Sequence, residues 1–332
     1  MAHEAVRPYV GSVRRTPGNM NGLQGLPLVV LGYDDWPRTT HELLSLMLRA
    51  PARTLHLLRS RAYPRVLVLE YALSSTSSVR TLAGIVPPTV AIVTAIGHAH
   101  IERFGSVEGV IADKSALVEA APPDGLVLLG ADNEHAASLD RLSRAPVRKL
   151  PGRGRELAQG VARAVGEYLG VPAEAMERAL AAPVRIHGRQ DLAVCGPLRV
   201  LDDAFNANPL SMAYGLETLA TQARPGERRV AILGGMGELG RESERLHRAT
   251  AEVARQRADV VVGVGELARQ YALECWYADV ATCVAALSGI LRSGDFVLVK
   301  GSASVGLSGV AEAVRAIGAT MEAASATAAP GG

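Results

Sequence analysis

The stretch RRVAILGGMGELGRESERLH, residues 228–247, decides how the rest of the chain is read. An apolar run rich in Val, Ile and Leu enters a glycine turn, G-M-G-E-L-G, and a helix-like pattern follows. Strand, turn and helix in that order belong to a parallel α/β sheet. The turn is also a literal G-x-G-x-x-G, the form of a dinucleotide cradle, which would make the protein a dehydrogenase. Charge argues against that. Glu238, Glu242 and Glu244 crowd the helix start; they suit the positive end of a helix dipole but oppose a diphosphate placed there. The next strand, ADVVVGVG (258–265), ends in glycines with Glu266 beyond it, where a ribose-binding acid would stand at the tip. A tight strand-to-helix turn with an acidic first helical turn is the better reading.

Working outward, similar apolar runs recur. PLVVLG (27–32), RVLVLEY (65–71), TVAIVTAI (89–96) and GLVLLGA (125–131) read as strands, followed by LRVLDDAF (198–205), ADVVVGVG and DFVLVKGS (295–302). Helical patterns lie between them, among them HELLSLMLRAPARTLHLLRS (41–60), GRELAQGVARAVGEYLG (154–170) and SERLHRATAEVARQRA (243–258). The fold class expected is α/β, in two domains with mainly parallel sheets. The series breaks near IHGRQDLAVCG (186–196), which sets domains at 1–185 and 186–318. The segment 319–332 has little to bury and is expected to be disordered.

The bulk composition narrows the function. The 332 residues carry a net charge of +2, too small to argue for nucleic acid or an anionic membrane surface. No run approaches the roughly 18 apolar residues of a membrane span, and the N-terminus has no signal-like core, so the cytoplasm is expected. Cys195, Cys275 and Cys283 show no metal-binding spacing and read as packing thiols. Lysine occurs only at 114, 149 and 300, so each lysine is worth locating.

In open parallel sheets, functional groups gather beyond the C-terminal ends of strands. There this chain places Glu70, then His98, His100 and Glu102, and then Asp202 and Asp203 with Asn206 and Asn208 following. Lys114 stands at a helix start in IADKSALVEA. A carboxylate and an imidazole on neighbouring tips could share a divalent ion, and carboxylate with water suits magnesium. Each residue alone also has a plainer reading, as a cap, a turn residue or a surface charge.

Together these stretches resemble one family. TPGNMNGLQGLPL (16–28), LVLEY (67–71), TAIGHAHIERFGS (94–106), ADKSALVE (112–119) and LLGADNE (128–134) are similar to the central ATPase domain of the Mur ligases. GRQDL (188–192), DDAFNANPLSM (202–212), the opening glycine stretch and LVKGS (298–302) are similar to the C-terminal domain, in the wording of the MurF branch. The resemblance implies an ATP- and Mg2+-dependent ligase of cell-wall peptidoglycan synthesis. It would join an amino acid or dipeptide such as D-Ala-D-Ala to a nucleotide-linked peptide carboxylate through an acyl phosphate. It further implies a metal set of Glu70, His100 and Lys114, the lysine as a carbamate, and nucleotide contacts from Arg189 and from Asp202 or Asp203. Asn206, Asn208 and Ser211 would hold the amine substrate, and Lys300 and Ser302 would bind an anion.

The pattern also departs from the family. The expected phosphate loop, G-x-x-G-K-T/S, does not occur, since none of the three lysines follows a glycine-rich turn. No stretch of these 332 residues resembles the family's UDP-binding N-terminal domain. Ala95 stands for an asparagine, and Gly130 replaces the asparagine expected near adenine. The expectations are therefore a chain truncated at its front or a partner chain that completes the central sheet. The rival is a non-catalytic Mur-ligase-like scaffold or regulatory subunit without ATP binding.

Overall fold

The computed structural model describes residues 2–60, 63–72, 78–98, 101–182 and 186–328. Two compact units emerge, one of Met1–Ile96 and Ser106–Val184, the other of Gly97–Gly105 and Arg185–Gly332.

In the first unit, α1 (Ala2–Val10) leads into β1 (Val13–Arg15), α2 (Gly25–Val30), α3 (Thr40–Arg59) and β2 (Val66–Val68). After α4 (Val79–Ile85) and β3 (Val90–Val93) the chain passes through α5 (Ile101–Phe104), which groups with the second unit. It returns with α6 (Val107–Glu119), β4 (Leu126–Gly130), α7 (Ala136–Asp140), β5 (Val147–Leu150), α8 (Gly154–Tyr168) and α9 (Ala173–Ala181). The strands form two separate parallel sheets, β1-β2 and β3-β4-β5. All five residues of β4 are buried, as its unbroken apolar sequence requires. One face of the three-stranded sheet carries Leu126 and Leu128 against Val6, Leu157 and Met176 of α1, α8 and α9. The run 27–32, read above as a strand, is instead largely the helix α2. An isolated apolar run of that length has no decisive period. The helix packs so closely that a Cβ on Gly25 would lie 2.7 Å from the Met20 backbone.

The second unit continues with β6 (Asp191–Cys195), β7 (Leu198–Asp203), α10 (Pro209–Gln222), β8 (Arg228–Gly234) and α11 (Ser243–Arg257). Then follow β9 (Val260–Val264), β10 (Trp276–Tyr277), α12 (Val280–Ile290), β11 (Asp295–Lys300) and α13 (Ser308–Ala328). One six-stranded sheet, β10-β9-β8-β11-β7-β6, is parallel except for the edge strand β6. Strand alternation sends Leu201, Leu233 and Leu298 to a core under α10 and α11, and Val200, Ile232 and Val299 to a core under α12 and α13. Helix α13 runs past residue 318, beyond which a disordered tail is expected from the sequence; residues 329–332 lie outside the described residues. Glycine explains the extension. A Cβ on Gly318 would sit 2.1 Å from the Cys195 carbonyl oxygen, so its absence lets the helix press onto β6 and pack a partly buried Met321 against the core.

Candidate functional site

In the first unit the ends of β2 and β3 flank a cavity of about 430 Å3, lined among others by Glu70, Tyr71, Thr94, Ala95 and Lys114. Among the described residues β2 pairs only with β1, and β3 only with β4, so each turns an unpaired strand edge away from its own sheet. Glu70 follows β2 directly; its backbone N–H donates to Thr16 Oγ1 at 3.0 Å and its side chain is exposed. Lys114 lies on α6 with its Nζ 3.4 Å from the Ala95 carbonyl, and no carboxylate pairs with it among the described residues. Burial pushes its amine below the ordinary lysine value, against the smaller opposing pull of Asp113. Asp113 turns the other way and accepts the N–H of Val79 at 2.8 Å, fixing the start of α4. Ser78 caps the same helix locally by accepting the Thr81 N–H, whereas the role of Asp113 is not legible in the sequence because it acts from 34 residues away. His100 lies outside the described residues, so its place relative to Glu70 and Lys114 is not part of this geometry. His98 and Glu102 belong to the second unit, where Glu102 N–H donates to the Glu238 carbonyl at 3.3 Å.

Gly130 ends β4 for a packing reason: a Cβ there would lie 2.2 Å from the Thr94 carbonyl oxygen. An asparagine could not stand at this position without moving β3 or β4. Three residues on, Asn133 is buried with its Nδ2 lacking a partner among the described residues, while its Oδ1 accepts the His135 N–H at 3.1 Å.

The second unit concentrates charge at the ends of β7 and β11. Strand alternation separates the two adjacent acids. Asp202, fully buried, accepts from Arg315 at 2.9 Å and stands opposite Asp191 of β6. Asp203 faces the opposite side and meets Lys300 Nζ at 2.6 Å. It also accepts the Gln190 backbone N–H at 3.2 Å and the Gln190 Nε2 at 2.7 Å. Lys300 donates again to the Asn206 carbonyl at 3.1 Å, and burial lowers its amine below the usual lysine range although Asp203 raises it. Gly188 and Gln190 adopt left-handed φ of 71° and 52°, which turns Arg189 outward so that its guanidinium lies 3.9 Å from the Phe205 ring centroid. Arg189, Asp203, Asn206 and Lys300 are thus joined in one cluster, and Asp202 belongs to another.

Asn208 and Ser211 are engaged with each other. Asn208 Oδ1 accepts the Ser211 N–H at 2.9 Å and Ser211 Oγ accepts the Asn208 N–H at 3.0 Å, a reciprocal cap on α10 with Pro209 as its first residue. Ser302 donates its N–H to the Gly235 carbonyl at 3.1 Å, and its hydroxyl lies 3.0 Å from that of Ser304. These bonds order the loop ends, leaving the Asn208 amide Nδ2 as the polar atom not used in the cap.

The opening glycine turn has a structural explanation. A Cβ on Gly235 would lie 2.3 Å from Leu267 Cβ, and Met236 and Leu239 are buried in the core. The Met236 N–H, the amide a phosphate would need, donates instead to His247 Nε2 at 2.9 Å. His247 Nδ1 in turn bonds the Ser243 carbonyl at 2.7 Å, and burial lowers the imidazole below its ordinary value. His247 closes the quoted stretch, yet its distance from the turn hides its role; helical spacing from Ser243 is the signal that could have found it.

Comparison with known proteins agrees with this architecture. The Mur ligase middle domain matches residues 48–153, and the glutamate ligase domain of Mur ligases matches 188–303. The UDP-N-acetylmuramoyl-tripeptide--D-alanyl-D-alanine ligase of Mycobacterium tuberculosis is 31% identical, covering 93% of this chain and 69% of the relative. That of Treponema pallidum is 28% identical over 88% of this chain and 66% of its own length. Among solved structures, MurF from Acinetobacter baumannii superposes with a TM-score of 0.75 at 20% identity, covering 96% of this chain and 73% of that one. MurF from Thermotoga maritima, in complex with ADP, gives 0.74 at 20% identity over 95% and 76%. With both domain models matched and a relative 31% identical across 93% of this chain, the chain belongs to the Mur ligase family, in its MurF branch.

Proposed function

We propose that the protein is an ATP-dependent ligase that joins D-alanyl-D-alanine to the terminal carboxylate of a UDP-N-acetylmuramoyl tripeptide in the cytoplasm. The observation that carries this reading is the 31% identity to the Mycobacterium tuberculosis ligase across 93% of the chain. In the reaction the peptide carboxylate takes the γ-phosphoryl group of ATP and ADP leaves. The amine then attacks the acyl phosphate, the amide forms, and inorganic phosphate departs with the proton lost to solvent.

Such transfers rest on positioning and charge neutralisation. Arg189 offers a guanidinium near the strand tips for a nucleotide phosphate. Asp203, held by Lys300 and Gln190, positions that turn; Asp202, in a separate ion cluster, is the weaker choice for the acid near the ribose. Asn206 and Asn208 line the loop where the dipeptide amine would be received. A Mg2+ ion fits the donor chemistry of the cavity only if Lys114 is not an ammonium. Burial lowers its amine against the smaller pull of Asp113, and a lysine amine that took up CO2 as a carbamate would become an oxygen ligand for such an ion. The ion would neutralise the transferring phosphoryl group; Glu70, His100 and carbamylated Lys114 would hold it.

A second reading has its own support. Within these 332 residues no lysine follows a glycine-rich turn, and among the described residues the first unit offers two unpaired strand edges beside a cavity. We infer that a further parallel strand, from polypeptide beyond the described residues, completes that sheet and brings the phosphate-binding turn. Without it the chain would bind the peptide substrate and not ATP, as a scaffold does. The test is calorimetry on the 332-residue protein with Mg2+ and ATP, paired with an assay for phosphate released only when tripeptide and dipeptide are both present. Binding with coupled phosphate release supports the ligase. Peptide binding without nucleotide binding supports the scaffold, and neither kind of binding defeats both.

A further inference from the structure

Helix α3, the 20-residue segment Thr40–Arg59, is anchored by very little of its surface. Among its described side chains only Ser45, Leu46, Ala50 and Leu57 are even half-buried, with Leu46 packing on Met20, Leu28 and Val29. Leu43, Leu44, Met47, Leu48 and Leu55, by contrast, are exposed. Leu44 is 57% exposed, Met47 63%, Leu48 75% and Leu55 49%. At 3.6 residues per turn these four, with the exposed Pro51, fall within about 100° of the helix circumference. A contiguous apolar stripe of this kind marks a docking surface rather than scattered exposure.

The flank beside the stripe is basic. At the same helical spacing His41, Arg59, His56 and Arg49 follow one another around the neighbouring arc, all of them exposed. The helix carries three arginines against one acid, Glu42, and Arg61 and Arg65 follow shortly in the sequence. Arg53 is folded back onto the Leu31 carbonyl at 3.1 Å, and Glu42 accepts the Arg38 N–H at 2.6 Å. Arg49 and Arg59 make no ion pair among the described residues. An aliphatic stripe adjoining a basic flank, on a helix held to its protein along the remaining side, is the arrangement of a helix lying in a membrane interface.

We propose that α3 docks the protein on an anionic phospholipid surface, with Leu44, Met47, Leu48 and Leu55 entering the acyl boundary and Arg49 and Arg59 meeting lipid phosphates. A second copy of the chain fits the surface less well. Packing two stripes face to face would bring like-charged flanks together, and the one acid of each helix is already engaged. No helix of the described residues is long and apolar enough to cross a membrane, so the helix lies on the surface.

The test is co-sedimentation of the 332-residue protein with vesicles of phosphatidylglycerol and phosphatidylcholine, against phosphatidylcholine alone. Binding is expected to the mixed vesicles and to weaken with salt. Leu44→Ser with Leu48→Ser should lower partitioning by roughly tenfold or more. Arg49→Gln with Arg59→Gln should lower it by roughly fivefold per arginine. All four side chains are exposed, so unchanged thermal unfolding of both variants is expected and separates lost binding from lost folding. Equal binding to neutral vesicles, or binding untouched by either pair, overturns the proposal. So does a dimer in solution that the leucine pair dissociates, which would assign the stripe to a second copy. Binding to polyglutamate as tight as to vesicles would assign it to an acidic polypeptide.

Discussion

Lys300 and Asp203, 97 residues apart in sequence, meet at 2.6 Å with the lysine 2% exposed and the carboxylate 12%. Burial lowers the lysine and the acid opposes that shift, so the two charges depend on one another. Asp203 also collects both nitrogens of Gln190, and Lys300 the carbonyl of Asn206, so one pair ties three segments at the strand tips. Replacing Lys300 by Met leaves a carboxylate that is mostly buried and has lost its cation. That should cost about 3–5 kcal/mol in urea unfolding. Adding Asp203→Asn should recover a large part of the loss, because the amide oxygen still accepts from Gln190. A double variant no more stable than Lys300→Met would show that the pair is not coupled.

His247 makes a pH prediction. Its folded value is lowered from the ordinary 6.5, chiefly by burial, so the native state prefers the neutral ring. The unfolded chain therefore binds the proton more readily, and stability from this group is present above about pH 6.5 and is lost as pH falls toward the lower folded value. Protonation would also set an N–H at Nε2 against the Met236 N–H. The melting temperature should decline between pH 7 and pH 5, and His247→Gln should flatten that decline while lowering stability at pH 7 by about 1–3 kcal/mol. An equal slope in the variant would place the titration elsewhere.

Much of the second unit is legible in the sequence because its central strands are apolar runs that end in polar residues or glycine. The runs around Val200, Ile232, Val262 and Val299 are all strands of one sheet. The first unit is less legible. The run 27–32 has no decisive period, and close approach at Gly25 settles it as helix; β5 carries Arg148 and Lys149 and does not read as apolar. The short edge strands β1 and β10 are likewise too brief to carry a pattern. At the site, the sequence names Asp202 and Asp203 together, and only strand alternation parts them. Partners such as Gln190 and Arg315 come from distant elements, which no local pattern announces.

Gly130 departs from the family pattern, and its neighbours supply a steric cause. The Thr94 carbonyl lies 2.2 Å from where a Cβ would stand. Gly130→Ala should therefore destabilise by about 1–3 kcal/mol through overpacking. Gly84, in α4, is the control, because a methyl group there would meet nothing within 4 Å. Gly84→Ala should be neutral or stabilise by about 0.5–1 kcal/mol. Matching effects at the two glycines in thermal unfolding would remove packing as the reason for Gly130.

Lys114 separates stability from function. Its amine is buried, meets one carbonyl at 3.4 Å, and is pushed below the usual lysine range mainly by that burial. The cation is thus a burden on the folded state wherever it stays protonated in the unfolded chain, which includes neutral pH. Lys114→Met keeps the length and removes the charge, so it should leave stability unchanged or raise it by about 1 kcal/mol. If the amine serves as a carbamate, the same substitution abolishes ligation in whatever form of the protein carries it out. Lys114→Arg, which cannot be carbamylated, should do no better. Mass spectrometry of intact protein in bicarbonate at mildly alkaline pH should show one CO2 adduct that Lys114→Met lacks. An adduct persisting in that variant would take the carbamate away from Lys114, and full ligation by Lys114→Met would take the lysine out of the reaction altogether.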